Sequence, residues 1–235
     1  MTTGEPAVAR LRITYAVDEP LCYTSVLDMG RHWERMVRRA GLPLAYSQGF
    51  HPHPRLLFAA PLPVGYRATQ ELLDLYVLHS VEPAEVSVAL ERQRPRGLEI
   101  RAVESVALNA PVLQSLMAEA EYVVDLWSPA SPAVVELSLA AFVERTEIVR
   151  LRERKGRLQT YDLRVLFREA TYQGADSDEN RTGSPRHTLH IRARCGSNGS
   201  GRPEELIEEL DVPAEHTRIT RTRLVWQADK GEDAG

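Results

Sequence analysis

From residue 9 the apolar positions alternate, with Leu11, Ile13 and Tyr15 inside ARLRITYAV, and β-branched and aromatic residues fill the run. A period of two predicts a strand with one buried face over 9–17. The spacing then changes to three and four: Val26, Met29, Trp33, Met36, Val37 and Ala40 make one stripe, which predicts a helix. Ser25 and Asp28 stand at capping-box spacing before it, and Gly41 and Pro43 end it. Short strands are predicted over 44–47 and 55–60 and a longer one over 71–79. A helix opened by Pro83 runs to about Arg92, and LEIRAVESV (98–106) reads as the next strand. The order of this half is β-α-β-β-β-α-β.

The same order of elements then begins again. EYVVDLW (121–127) reads as a strand, Pro132 to Glu144 as a helix, and 146–153, 158–164 and 188–194 as strands. A helix opened by Pro203 and a strand over 217–226 complete the half. The fold class expected is therefore α+β, two ferredoxin-like halves in tandem, each β-α-β-β-β-α-β, dividing as 1–110 and 111–235. The polar stretch QGADSDENRTGSPR (173–186) has nothing apolar to anchor it and predicts a mobile loop, and the tail after Gln227 predicts a frayed end.

Composition narrows the class. With 43% apolar residues the 235-residue chain can bury a core, and it has no apolar run near the roughly 20 residues that span a bilayer and no secretion-type start. A soluble, cytoplasmic protein away from the membrane is the expectation. Cys22 and Cys195 are far apart and form no CxxC pair, which leaves a disulfide framework, zinc ribbon or iron–sulfur cluster unsupported. The net charge of -4 conceals two basic segments. Residues 23–67 carry six arginines against Asp28 and Glu34, and residues 145–168 carry eight basic residues against Glu147, Glu153 and Asp162. Such segments either attract phosphates or are solvated faces. In the first, Arg31, Arg35, Arg38 and Arg39 fall at i, i+4, i+7 and i+8, one ridge on the predicted helix.

The chemistry is concentrated in LPLAYSQGFHPHPR (42–55). His51 and His53 project on the same side if the prolines that follow keep them extended, so a metal pair is geometrically open. No third ligand stands at a telling distance, although folding can bring Cys22, Asp28 or His32 near, and no metal is assigned. Two other readings stay open: a rigid proline-fixed loop whose histidines bond its own backbone, and a binding loop with Arg55 as a phosphate fork. The glycine-rich stretch before Pro203 lacks a P-loop lysine, and Glu204 and Glu205 oppose an anion there, so no nucleotide cofactor is indicated. Asp74 and Asp162 read as arginine partners inside strands, Arg164 being a candidate for Asp162. No catalytic group is assigned.

The block LDMGRHWERMVRRAGLPLAYSQGFHPHPRLLFAAPLPVG (27–65) resembles the signature region of the radical-SAM-linked domain of unknown function DUF2344. ELLDL (71–75), YDLR (161–164), RPEEL (202–206) and RTRL (221–224) resemble its shorter blocks. The resemblance carries over onto Arg39, Leu42, Pro43, Tyr46, Ser47, Gly49, Phe50, Pro52, His53, Pro54, Pro61, Pro63 and Gly65. Val26 and His51 depart from the pattern, which commonly has histidine and asparagine there. The family occurs in bacteria as a separate chain or fused behind a B12-binding radical SAM protein, which implies a radical SAM protein in trans as partner. This chain has no CxxxCxxC, so the cluster belongs to that partner.

Three functions follow as expectations. The first is a noncatalytic accessory protein that presents a substrate, tRNA or rRNA, to the radical SAM enzyme, using Arg31, Arg35, Arg38, Arg39, Tyr46, Ser47, His53 and Arg55. The second is a stand-alone RNA-processing or RNA-modifying enzyme, with His53 carrying the proton and Arg55 stabilising phosphate charge. The third is a purely structural protein-interaction module.

Overall fold

The computed structural model describes residues 6–227 apart from 49, 51, 155, 177–182, 197 and 198. The predicted tail and the middle of the predicted mobile loop lie outside those residues. The chain is α+β and divides into two compact units, Met1–Met117 and Ala118–Gly235.

The first unit contains β1 (Ala9–Val17), α1 (Val26–Arg39), β2 (Leu56–Phe58), β3 (Arg67–Val77), α2 (Pro83–Glu91), β4 (Leu98–Val106) and a four-residue α3 (Leu113–Leu116). Its strands lie in the order β4-β1-β3-β2, each pair antiparallel. That is the arrangement a split β-α-β unit adopts. Leu11 stands opposite Leu75 and Ile13 opposite Leu73, so the alternating residues of β1 and β3 share one face. α1 lays Met29, Trp33, Met36 and Val37 on that face, and the indole of Trp33 meets the Tyr15 ring edge-on at 4.9 Å. Each such fully buried side chain contributes about 1.5–3 kcal/mol of transfer free energy. Gly97 is required by close approach: a Cβ there would stand 2.7 Å from the Asp18 carbonyl oxygen.

The expected strand over 44–47 is not formed. Leu44 and Tyr46 make isolated bridges to Val77 and Pro54, and the unit runs β-α-β-β-α-β, one strand fewer than expected. Pro43, Pro52 and Pro54 supply no N–H, and a ladder cannot propagate through them.

The second unit contains β5 (Met117–Trp127), α4 (Pro132–Glu144), β6 (Val149–Arg154), β7 (Arg157–Asp162), β8 (Phe167–Asp176), β9 (Arg186–Arg194), α5 (Pro203–Glu209) and β10 (His216–Trp226). Four strands lie in the order β10-β5-β9-β8, while β6 and β7 form a separate two-stranded sheet. Strand β8 is absent from the pattern-based reading, and the predicted loop is shortened at both ends: 173–176 complete β8 and Arg186 opens β9. Register shifts between Phe167 and Glu169 and between Tyr172 and Gly174 break its alternation, so no period of two is left to read.

The two acids expected to pair with arginine behave differently. Asp74 is fully buried and accepts from Arg10 Nε and Arg12 Nε, each at 3.0 Å. Arg10, also buried, donates its remaining N–H groups to the carbonyls of Ala110 and Pro111 at 2.6 and 2.9 Å. Asp162 accepts instead from the backbone N–H groups of Ile148 and Arg164, both at 2.9 Å. The Arg164 guanidinium turns to the carbonyls of Val143 and Phe167.

Candidate nucleic-acid interface

The ridge is built by α1. Ser25 caps it, its Oγ accepting from the Asp28 N–H at 3.2 Å and donating to the Asp28 carboxylate at 2.8 Å. That hydrogen bond, with a second from Arg31 at 2.8 Å, holds the Asp28 carboxyl below its ordinary range. At the other end Gly41, with φ of 70°, closes a Schellman motif: its N–H reaches the Arg38 carbonyl and the Leu42 N–H reaches the Val37 carbonyl. Because Met29, Trp33, Met36 and Val37 are buried, helical geometry puts Arg31, Arg35, Arg38 and Arg39 outside, and all four are exposed. Their local partners differ. Arg31 pairs with Asp28, Arg38 with Glu34 at 2.9 Å, and Arg39 reaches the Gln93 carbonyl at 3.5 Å. Arg35 has no ion pair or hydrogen bond among the described residues.

The segment after α1 is pinned to β3. The Tyr76 carbonyl accepts from Ala45 N–H at 2.9 Å, the Tyr76 N–H donates to the Arg55 carbonyl at 3.2 Å, and the Arg55 N–H closes the triangle on the Ala45 carbonyl at 2.9 Å. Beyond this base, Ser47 N–H donates to the His53 carbonyl at 2.8 Å and His53 N–H donates to Ser47 Oγ at 3.0 Å. Tyr46 connects loop and ridge, its hydroxyl accepting from Arg38 Nε and Nη2 at 3.1 and 2.9 Å. The fold therefore brings Arg38, Tyr46, Ser47 and His53 together.

Arg55 belongs elsewhere. Leu73, Leu75 and Val77 enter the core beneath α1, so alternation puts Asp74 and Tyr76 on the other face of the sheet. The Arg55 guanidinium lies over the Tyr76 ring at 4.0 Å from its centre. Arg31 bonds instead to Asp28 near the start of α1. His51 lies outside the described residues, and among those described no three His, Cys, Asp or Glu side chains are grouped for a metal. The His53 ring is exposed, and its backbone, not its imidazole, makes the bonds that close the loop. Pattern reading gave no special role to Phe50, whose side chain is 100% exposed.

The other basic segment is matched by acids, although Arg145, Arg152, Arg157 and Arg168 are exposed. Arg145 and Arg150 bond to Glu209 at 2.6 and 2.7 Å, Arg150 reaches Glu208 at 3.4 Å, and Tyr161 donates to Glu205 at 2.6 Å. One face of the β6–β7 hairpin is thus clamped on the acidic side of α5. Burial works against the Arg150 charge, but Glu209 and Glu208 outweigh it and the net shift is upward. Burial, then the bond and charge of Glu205, push Tyr161 up to about 12. Arg168 bonds to Glu119 at 3.0 Å, and Arg152 lies over the Tyr161 ring. The acidic run EELIEEL carried the signal for this neutralisation, yet only its first-turn glutamates drew notice in the sequence.

Comparison with known proteins adds the following. Among solved structures, a chain of a Cbf5-Nop10-Gar1 complex aligns over 90% of this chain and 48% of its own length, with 11% identity and a TM-score of 0.46. This chain thus spans about half of that one. A glycine cleavage system transcriptional repressor aligns over 93% and 98% of the two chains at 13% identity and TM-score 0.20. A dye-decolorizing protein from V. cholerae aligns over 92% of each at 12% identity and TM-score 0.23. No curated protein matches the chain. The model of an uncharacterized protein family conserved in bacteria, DUF2344, matches residues 10–203. The signature segment that builds the ridge and the loop lies inside that match, and the chain belongs to the DUF2344 family.

Proposed function

We propose that the chain is a noncatalytic accessory protein that presents RNA to a B12-binding radical SAM enzyme, with the α1 ridge and the 46–54 loop as its RNA-contacting edge. The observation that carries this reading is the Arg38–Tyr46 contact, which ties an exposed arginine ridge to a loop whose base is already fixed. A preformed basic edge binds a polyanion with little ordering entropy to lose. The enzyme partner rests on the resemblance of residues 27–65 to the radical-SAM-linked signature. The exposed His53 imidazole has no acid or base partner among the described residues, which supports presentation over catalysis.

The test is binding of labelled tRNA and rRNA fragments to the purified chain at about 50 and 200 mM salt. Affinity that falls with salt and falls again in Arg35→Gln supports the reading. No binding at the lower salt removes RNA and leaves a protein-interaction module, which nuclease-treated pulldown with the radical SAM protein then examines.

A further inference from the structure

In the second unit Tyr122, Val124, Leu189 and Ile191 are buried, so alternation puts Glu121, Val123, His190 and Arg192 on the opposite face of the sheet. Register sets Arg192 between Glu121 and Glu169, and His190 between Val123 and Thr171. These side chains, with Gln173 and Thr222, line a cleft of about 490 Å³. Small-ligand sites have volumes of roughly 300–1,000 Å³. The acids on the β5 side of this face are matched. Glu121 accepts from Arg223 Nε and Nη2 at 3.0 and 2.6 Å, and Glu119 accepts from Arg168 and Arg192 at 3.0 and 2.6 Å. Two groups in the cleft are not: the Glu169 carboxylate and the His190 imidazole are exposed and have no ion pair or hydrogen bond among the described residues. They are diagonal neighbours on β8 and β9, and Arg192, directly opposite Glu169, uses only its Nε on Glu119. The cleft therefore offers a free carboxylate, guanidinium Nη groups beside it and a flat ring.

We propose that this cleft binds a guanine base. Guanine carries two adjacent donors, N1–H and the 2-amino group, next to the O6 acceptor with N7 beyond it. The Glu169 carboxylate takes the donor pair, the Arg192 Nη groups donate to O6 and N7, and the His190 ring stacks on the base. The other bases fit this set less well. Uracil has one ring N–H, and the single amino group of adenine or cytosine fills only one carboxylate oxygen. A free phosphate is disfavoured, because Glu121 and Glu169 both line the cleft. The inference stands apart from the RNA reading of the α1 ridge, since the base is recognised in the same way in a free nucleotide and in an RNA strand.

The experiment titrates the full chain calorimetrically with guanosine, inosine, adenosine, cytidine and uridine monophosphates and with the RNA tetranucleotides UUGU and UUUU. The wild type, Glu169→Gln and His190→Ala are compared. The expected result is tightest binding of the guanine probes, with inosine monophosphate weaker because it lacks the 2-amino group. Glu169→Gln should lose about tenfold for the guanine probes, near the low end of what a bidentate contact contributes, and less than twofold for the others. His190→Ala should weaken every base alike, because stacking does not read base identity. Binding of guanosine monophosphate with UUGU no better than UUUU supports the proposal with a free nucleotide as the source, and Glu169-dependent binding of UUGU alone supports it with RNA as the source. Equal affinity for all bases, guanine binding unchanged in Glu169→Gln, or no binding of any probe overturns it. Salt-dependent tRNA binding that is lost in Arg35→Gln and kept in Glu169→Gln then leaves the reading of the ridge standing. Circular dichroism checks each variant, and substitutions of these two exposed side chains should leave the fold intact.

Discussion

The two arginine-rich segments, 23–67 and 145–168, carry similar excess charge in the sequence and reach opposite ends in the fold. In each unit the segment includes the connection from the first helix to the next strand of the main sheet. In the first, helix α1 keeps its own face for the core and sends the arginines outward, where Asp28 and Glu34 meet only two of the four. In the second, the arginines sit on a hairpin that has no core of its own, and a two-stranded ribbon is marginal in isolation. Its inward face is secured by the glutamates of α5, which lie about 40 to 60 residues downstream. Excess charge in a segment therefore says little about surface potential until its distant counter-charges are placed.

The largest expected effect lies in the clamp. Glu209 accepts from both Arg145 and Arg150 and its side chain is only 14% exposed, so Glu209→Ala leaves two arginines without that acceptor. We expect a loss of about 1–2 kcal/mol in urea unfolding, discounted for the partial exposure of the arginines. Proteolysis within 149–162 should also accelerate. If stability and cleavage are unchanged, the segments do not differ in the way described. Tyr161 offers an independent reading of the same clamp. Its folded-state pKa of about 12 stands above the ordinary tyrosine value of 10.0. A raised pKa contributes stability that is full below pH 10 and is lost as pH rises through the folded value. Absorbance titration should show a late tyrosine that Glu205→Gln moves towards 10.

How much of this was legible in the sequence follows from the range of the interactions. The α1 stripe, its Ser25 cap and its Gly41 stop are all written within one helix, and they match the helix observed except at Val26, which the stripe placed in the core and the fold leaves exposed. The ridge follows from the same periodicity. What was illegible depends on distant partners or on broken alternation. Strand β8 is bulged twice, the 44–47 segment is cut from a ladder by prolines, and Arg55 reaches a tyrosine 21 positions away. The sequence placed Arg55 with the ridge because the two are close in the chain; pairing to β3 turns it to the other face.

The next effect is smaller and belongs to the ridge. Ser25→Ala removes the cap of α1 and should cost about 1 kcal/mol. It also deprives Asp28 of the first of the two bonds that depress its pKa. A depressed carboxylate contributes stability above its unfolded value of 3.8 that is lost as pH falls through the folded value. The difference between Ser25→Ala and wild type should therefore shrink below that range, measured by thermal unfolding from pH 7 to 2. A difference independent of pH would mean that the cap acts on the backbone alone.

The smallest effect is the one that discriminates best. Glu34 pairs with Arg38 one turn away on an exposed face, and such i, i+4 pairs contribute only about 0.2–0.5 kcal/mol. Glu34→Ala should barely move the unfolding midpoint, because Tyr46 still holds the Arg38 guanidinium in place. It should nevertheless tighten RNA binding at low salt, since one carboxylate leaves the ridge and the arginine geometry is kept. Glu208→Ala is the matched change in the other segment, where Arg150 retains its 2.7 Å bond to Glu209 and stays facing α5. Both variants raise the net charge by one, so a difference in RNA affinity between them isolates position from charge. Equal tightening in the two would mean that RNA responds to the overall field of the protein, and that the ridge is one solvated face among others.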